Sequence, residues 1–294
     1  MDIEHLVVSG GGPVFGLYVY GILNQLCSDD KINIDKIKSI YGCSAGSILG
    51  ALLCLKFDWK DLTDYIVRKP WDKIVNIEPE DIFSVSNDKG ILDRKFFEEI
   101  FSTLLLAKDL DVNITLKQLY EYSNIDLHIY TSKINTFEYV DISHSTYPDM
   151  SIIDAVNMSS AIPFIFKPVK YDDSYFIDGC VIKNFPFDEF MENNMEVPEE
   201  KILAISLELI QDVVDCSEMS LMNYASFIYR NQMILLDKQK HRAKFNITVP
   251  LSSSDMLDFI QIFKNSAMRE DIINEKSIKI AHEQINKFTA CQNQ

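Results

Sequence analysis

An α/β fold with a mostly parallel central sheet flanked by helices is the architecture this chain predicts, and three stretches predict it. Residues 3–8 form an apolar, β-branched run that passes through Ser9-Gly10-Gly11-Gly12 into an apolar helical stretch at 17–23. Residues 37–41 form a second such run, which passes through Gly42-Cys43-Ser44-Ala45-Gly46 into a helix-like segment at 47–55. Residues 202–207 read as a further buried strand. Strand, loop and helix repeated in this order are the signature of βαβ units, in which the crossing helix brings each new strand back parallel to the last.

The first loop carries three consecutive glycines. Without Cβ atoms in the way, successive backbone amides can converge on one anion, which is how an oxyanion hole or phosphate nest is made. A nucleotide phosphate is the weaker match, because the spacing is neither G-x-x-x-x-G-K-[ST] nor G-x-G-x-x-G and no lysine follows. Gly10, Gly11 and Gly12 are therefore the expected oxyanion donors.

The second loop is a G-x-S-x-G pentapeptide between a strand and a helix. A strand that turns straight into a helix has room only for small residues two positions either side of the central serine, and Gly42 and Gly46 supply that room. The strained turn pushes a hydroxyl out at the carboxyl end of the sheet. The helix that follows aims its unpaired N–H groups at the same point. Ser44 is the expected nucleophile.

Farther along, helices are expected at 59–68 and 95–106, a strand pair at 127–131 and 136–140, and a helix at 151–160 started by Asp149 or Ser151. Tyr175-Phe176-Ile177-Asp178-Gly179 reads as a short apolar strand that ends in an acid and a glycine. By itself such an Asp is a turn former. Beyond the strand at 202–207, a helix is expected at 221–239 and a strand at 245–249. The apolar spacing over 256–288 fits a core-packed terminal helix pair better than a membrane-facing one, since charges of both signs run through it.

Four blocks in one order resemble the patatin-like phospholipase family. They are Ser9-Gly10-Gly11-Gly12 with Gly21-Ile22-Leu23; Gly42-Cys43-Ser44-Ala45-Gly46; residues 159–169; and Asp178-Gly179 with Asn184-Phe185-Pro186. Gly90-Ile91-Leu92-Asp93 and the helical stretch after it are similar to the family more loosely. The resemblance implies a Ser-Asp acyl hydrolase in which Ser44 is the nucleophile, Asp178 is its partner beside the motif glycine Gly179, and the glycine run is the oxyanion loop. Two departures stand out. Pro13-Val14-Phe15 fills the stretch where the family usually has a Lys or Arg, and Cys180 follows Asp178-Gly179 where a Gly or Ala is commoner.

The chemistry so implied is hydrolysis of a carboxylic ester through an acyl-enzyme, with a phospholipid or other acyl-ester lipid as substrate and no metal or cofactor. A rival Ser-His-acid triad would draw on His241 or His282, both in predicted helices among charges, out of five histidines in all. Two other readings use the same fold: a catalytically silent lipid-binding or interaction protein, and acyl transfer to an alcohol other than water.

Composition bounds these expectations. With 294 residues, 47% of them hydrophobic, and no linker or repeat, one domain over 1–294 is expected, its motif-bearing core at 3–210 and C-terminal elements at 211–290. A net charge of −16 argues against nucleic acid and against unaided docking on an anionic membrane. Contact with a membrane or micelle surface would then be transient and local. No charged-then-apolar leader opens the chain, and the longest apolar runs fall short of the ~20 residues of a membrane span, so a soluble cytoplasmic protein is expected. The cysteines at 27, 43, 54, 180, 216 and 291 show no C-x-x-C or Cys/His ligand spacing, which predicts reduced thiols and no zinc site.

Overall fold

The computed structural model describes residues 1–75, 85, 87–210, 217, 219, 224, 227–229, 231–232, 243–252 and 259–292. The chain enters through β1 (His5–Val8), crosses in α1 (Gly12–Ser28) and returns as β2 (Ser39–Cys43), parallel to β1 from His5↔Ser39 to Val8↔Gly42. Every residue of β1 and β2 is buried, including the polar His5 and Ser39, which pair in register and hydrogen-bond to one another at 2.8 Å. Helices α2 (Ala45–Cys54), α3 (Trp59–Arg68), α4 (Arg94–Ala107) and α5 (Leu116–Ser123) precede β3 (Asp126–Lys133). Then come β4 (Glu138–Ile142), α6 (Ile152–Ser159), β5 (Val169–Tyr171), β6 (Ser174–Asp178), α7 (Phe187–Asn193), β7 (Ile202–Leu209) and β8 (Phe245–Leu251). The C-terminal part holds α8 (Phe259–Lys264), α9 (Ser266–Asp271), a π-helical turn at Ile272–Lys276 and α10 (Ser277–Gln292). The helix expected at 221–239 falls largely outside the described residues.

The strands form one sheet in the order β5-β6-β3-β2-β1-β7-β8, with β4 beside β3. The run β3-β2-β1-β7-β8 is parallel throughout, and β4, β5 and β6 pair antiparallel. Local signals set the helix starts. Ser151 caps α6 by accepting the Asp154 amide at 3.1 Å, so Ser151 rather than Asp149 is the start residue. Thr115 and Gln118 form a capping box at α5. The first helix begins at Gly12, five residues before the apolar run suggests, so the glycine loop is a short corner. Gly21 in that helix lies against the C-terminal segment: a Cβ there would meet Ser277 at 2.6 Å and the Ile273 carbonyl at 2.8 Å. Ile272 and Ile273 are buried, as is Ile262, so the terminal helices pack on the core.

Strand β3 determines the site. Its residues 129–133 pair with β4 along one edge. The other edge belongs to β2 as far as Cys43↔Tyr130, and from Thr131↔Asp178 onward to β6. Thr131 pairs with both Val140 and Asp178, so β6 lies on the edge that β2 has just left. The end of β2 and the end of β6 therefore abut.

The same strand carries a buried histidine. His128 pairs with Tyr41 in register and stacks on its ring at 4.0 Å. Its Nδ1 lies 2.7 Å from Asp141 and its Nε2 3.3 Å from Asp126. Burial alone would favour the neutral ring, but the two carboxylates outweigh it and hold the pKa up at about 9. A pKa raised from about 6.5 contributes stability that is complete below pH 6.5 and is lost as pH rises through 9. Denaturant unfolding from pH 6 to pH 9.5 is expected to show wild type losing up to about 3 kcal/mol relative to His128→Gln. Parallel curves for the two proteins would refute the charged pairing.

Candidate active site

Ser44 sits at the corner between β2 and α2 with φ 50° and ψ −115°. This is a left-handed conformation that a non-glycine residue adopts only where its surroundings enforce it. The pentapeptide glycines show the enforcement. A Cβ on Gly42 would meet the Gly46 carbonyl carbon at 2.6 Å, and one on Gly46 would overlap the Val8 carbonyl. The turn is thus pressed against the end of β1. It is also tied down by side chains: the Ser44 amide donates to Ser159 Oγ at 2.9 Å, Ser159 donates in turn to the Tyr130 carbonyl at 2.6 Å, and Ser47 Oγ donates to the Ser44 carbonyl at 2.6 Å.

Asp178 ends β6 one register step beyond Tyr130, and its Oδ2 accepts the Ser44 hydroxyl at 2.7 Å. Its Oδ1 accepts the Cys180 amide at 2.8 Å. Gly179 gives this approach its clearance, since a Cβ there would lie 2.5 Å from the Tyr130 carbonyl oxygen. Both Ser44 and Asp178 are buried. Burial raises the Asp178 pKa above the ordinary carboxylate range, against the opposing pull of the Cys180 and Ser44 hydrogen bonds.

The three glycines of the first loop have separate tasks. The Gly10 amide, one of the three expected oxyanion donors, donates to the Asn184 carbonyl at 3.1 Å. Gly10 is small because a Cβ there would overlap Cys180 Sγ and come within 3.1 Å of the Ser44 Cβ. Gly12 has φ 71° and open space around its Cβ position, so its backbone conformation, not crowding, requires glycine. Gly11 and Gly12 lie at the N-terminus of α1, where amides lack intrahelical partners.

Ser44 and Gly12 open onto a cavity of about 140 Å³ lined by Ile48, Leu52, Phe96, Ile100, Phe166 and Phe263 among others. Besides Ser44 and Ser160, whose buried hydroxyl has no hydrogen-bond partner among the described residues, its polar lining residues turn their heads elsewhere. The Tyr20 hydroxyl donates to the Trp59 carbonyl, the Tyr65 hydroxyl to the Ile100 carbonyl, and the buried Arg269 guanidinium to the carbonyls of Ile66, Val67, Ile262 and Phe263. The interior surface left to a ligand is hydrocarbon.

Among the described residues no histidine touches this pair. His282 lies on the surface against Asp29 at 3.2 Å, and His241 is outside the described residues. Sequence reading missed Ser159, Asn184 and Thr131 as supports. Ser159 and Asn184 sit inside the blocks that carried the resemblance, whereas Thr131 gave no signal. Its Oγ1 lies 3.0 Å from the Met158 carbonyl and 2.9 Å from the Ile177 carbonyl.

The model of the family described as patatin-like phospholipase matches residues 6–191, more than half of the chain, and the chain belongs to that family. It is 30% identical over 184 residues, 62% of its length, to the probable lipid hydrolase 463L of Invertebrate iridescent virus 6. It is 26% identical over 199 residues, 67% of its length, to protein R571 of Acanthamoeba polyphaga mimivirus. The matched stretches span 61% and 65% of those two relatives. VipD from Legionella pneumophila shares the fold, with a TM-score of 0.52 at 16% identity over the whole of this chain and 75% of that one. Among the described residues, no helix is long and apolar enough to cross a membrane.

The crowding at Gly10 has a measurable consequence. Gly10→Ala is expected to destabilise the fold by about 1–3 kcal/mol through overpacking, and Cys180→Ala to recover part of that loss in the double variant. Strict additivity in a denaturation cycle would show that the two residues do not crowd one another.

Proposed function

We propose that the protein hydrolyses the carboxylic ester of a lipid, a phospholipid or lysophospholipid, by way of an acyl-enzyme on Ser44. The observation that carries this reading is the buried 2.7 Å hydrogen bond from Ser44 Oγ to Asp178 Oδ2 beside an apolar cavity. An acyl chain in the cavity brings its ester carbonyl to the Ser44 corner. As Oγ attacks, Asp178 takes its proton and returns it to the leaving alcohol; it then accepts a proton from the incoming water and passes it to Ser44 Oγ as the acyl–serine bond breaks and the fatty acid leaves. A carboxylate with its ordinary pKa of about 3.9 is a weak base for a hydroxyl, and burial of Asp178 narrows the gap.

The developing oxyanion is assigned to the Gly11 and Gly12 amides, Gly10 being held by Asn184, with the Ala45 amide at the N-terminus of α2 as a further donor. Each well-placed donor is worth about 3–4 kcal/mol in the transition state. Backbone amides do this work whether or not a basic residue stands in the Pro13-Val14-Phe15 stretch. Membership of the patatin-like phospholipase family and the likeness to a probable lipid hydrolase support the ester-hydrolase class.

Release of fatty acid from mixed phospholipid and lysophospholipid micelles in EDTA tests the reading. Ser44→Ala and Asp178→Asn are expected to lose at least about a thousandfold in turnover while remaining folded. Equal activity in all three proteins would remove Ser44 and Asp178 from the mechanism, and no activity in any of them together with lipid binding would favour the silent lipid-binding reading. The pH dependence supplies a second test. Because Asp178 must be ionised to accept the proton, kcat/KM is expected to fall on the acid side with a midpoint above the ordinary carboxylate value of about 3.9. An acid limb at or below that value would contradict a buried base.

A further inference from the structure

Cysteines that lie far apart in sequence, with no ligand spacing, come together in the fold. Cys43 ends β2 and Cys180 follows Asp178, and the same β3 register that joins Ser44 to Asp178 sets their sulfurs 3.5 Å apart. Both sulfurs and a carboxylate oxygen of Asp178 lie within 4.8 Å of one another, in three buried residues. Ester hydrolysis uses neither thiol.

Two sulfurs bound at 2.3 Å to one tetrahedral zinc are about 3.8 Å apart, so the observed spacing needs only a small adjustment to share a cation. The donor set also selects among metals. Two thiolates with one carboxylate suit zinc and softer divalent ions, and are a poor match for magnesium or calcium.

The Tyr229 hydroxyl is buried, faces Cys180 and Cys43, and interacts with Asp178. The buried Tyr139 hydroxyl has no hydrogen-bond partner among the described residues and faces Cys43 and Cys180. Unpaired buried hydroxyls are costly, and a neutral thiol is a weak acceptor. Metal-bound thiolates accept hydrogen bonds strongly, and donors from surrounding side chains are the usual outer shell of such a site. Asn184 Oδ1, 3.0 Å from Cys180 Sγ, is a further oxygen at the same place.

We propose that Cys43, Cys180 and Asp178 form a binding site for a thiophilic divalent cation, zinc or cadmium, and that occupancy silences the enzyme by taking the carboxylate from Ser44. The silencing rests on the reading of Asp178 as the base; the site itself does not. Binding one cation releases the two thiol protons and forms two metal–sulfur bonds and one metal–oxygen bond, with no change of oxidation state. The bound carboxylate can no longer accept the Ser44 proton.

The test uses the reduced full-length Ser44→Ala protein, in which binding is read without turnover. Cadmium titration followed by the thiolate-to-metal charge-transfer band is expected to saturate at one equivalent, and zinc to displace it. Adding Cys43→Ala or Cys180→Ala is expected to abolish the band or weaken affinity by at least about tenfold. Asp178→Asn is expected to weaken affinity while keeping the band, and Cys27→Ala to leave the titration unchanged. In the native protein, one equivalent of zinc is expected to stop fatty-acid release and EDTA to restore it, while Cys43→Ala keeps its own rate under zinc. Absence of the one-equivalent band, or a band indifferent to Cys43 and Cys180, overturns the site. Stoichiometric binding with no hydrolysis in any preparation leaves the site standing and removes the hydrolase reading instead. Zinc bound at the site with hydrolysis undiminished overturns the silencing.

Discussion

The handover along one edge of β3 is the constraint on which the rest of the site depends. One edge of that strand serves β2 through Tyr130 and β6 from Thr131 onward. Because β2 turns away into α2 at that step, the residue after Cys43 and the last residue of β6 face each other. A one-residue slip of β6 would send Asp178 to the opposite face of the sheet. The Thr131 hydroxyl, placed between the Met158 and Ile177 carbonyls, and the Ser132 hydroxyl, bonded to the Gly179 carbonyl, help to hold that register.

Backbone strain at Ser44 and burial of Asp178 are two costs that the surroundings offset. A non-glycine residue in the left-handed region costs on the order of 1–3 kcal/mol and persists only where it is over-determined. Here the two pentapeptide glycines, the end of β1 and three hydroxyl hydrogen bonds determine it. The carboxylate is kept from water by the same packing. That burial raises its proton affinity, so one arrangement both positions the pair and tunes it.

The cavity depends on where polar heads are sent. Arg269 is the clearest case: a buried cation paired with carbonyls at the C-terminal ends of α3 and α8 rather than with a carboxylate. The negative ends of two helix dipoles serve as its counter-charge, and the guanidinium joins the elements on either side of the cavity. With the tyrosine hydroxyls likewise occupied, the chamber beside Ser44 is apolar even though tyrosine and arginine line it. This suits an acyl chain, and it is a local property that a net charge of −16 does not convey.

Much of this was legible in the chain itself. The glycine corner and the pentapeptide are local devices, each forced by the room a turn allows, so Ser44 stood out by number; Asp178, a turn former by itself, stood out through the resemblance of the ordered blocks, and the parallel strands through the repeated strand, loop and helix. What the sequence alone determined is the set of local conformations. Only the tertiary structure decided which of these meet. Strand register set Asp178 against Ser44 and Cys43 against Cys180, gave the Gly10 amide to Asn184, and fixed His128 between two carboxylates. These are contacts between residues far apart in the chain, chosen by sheet pairing and by the hydrogen bonds that buried groups must find.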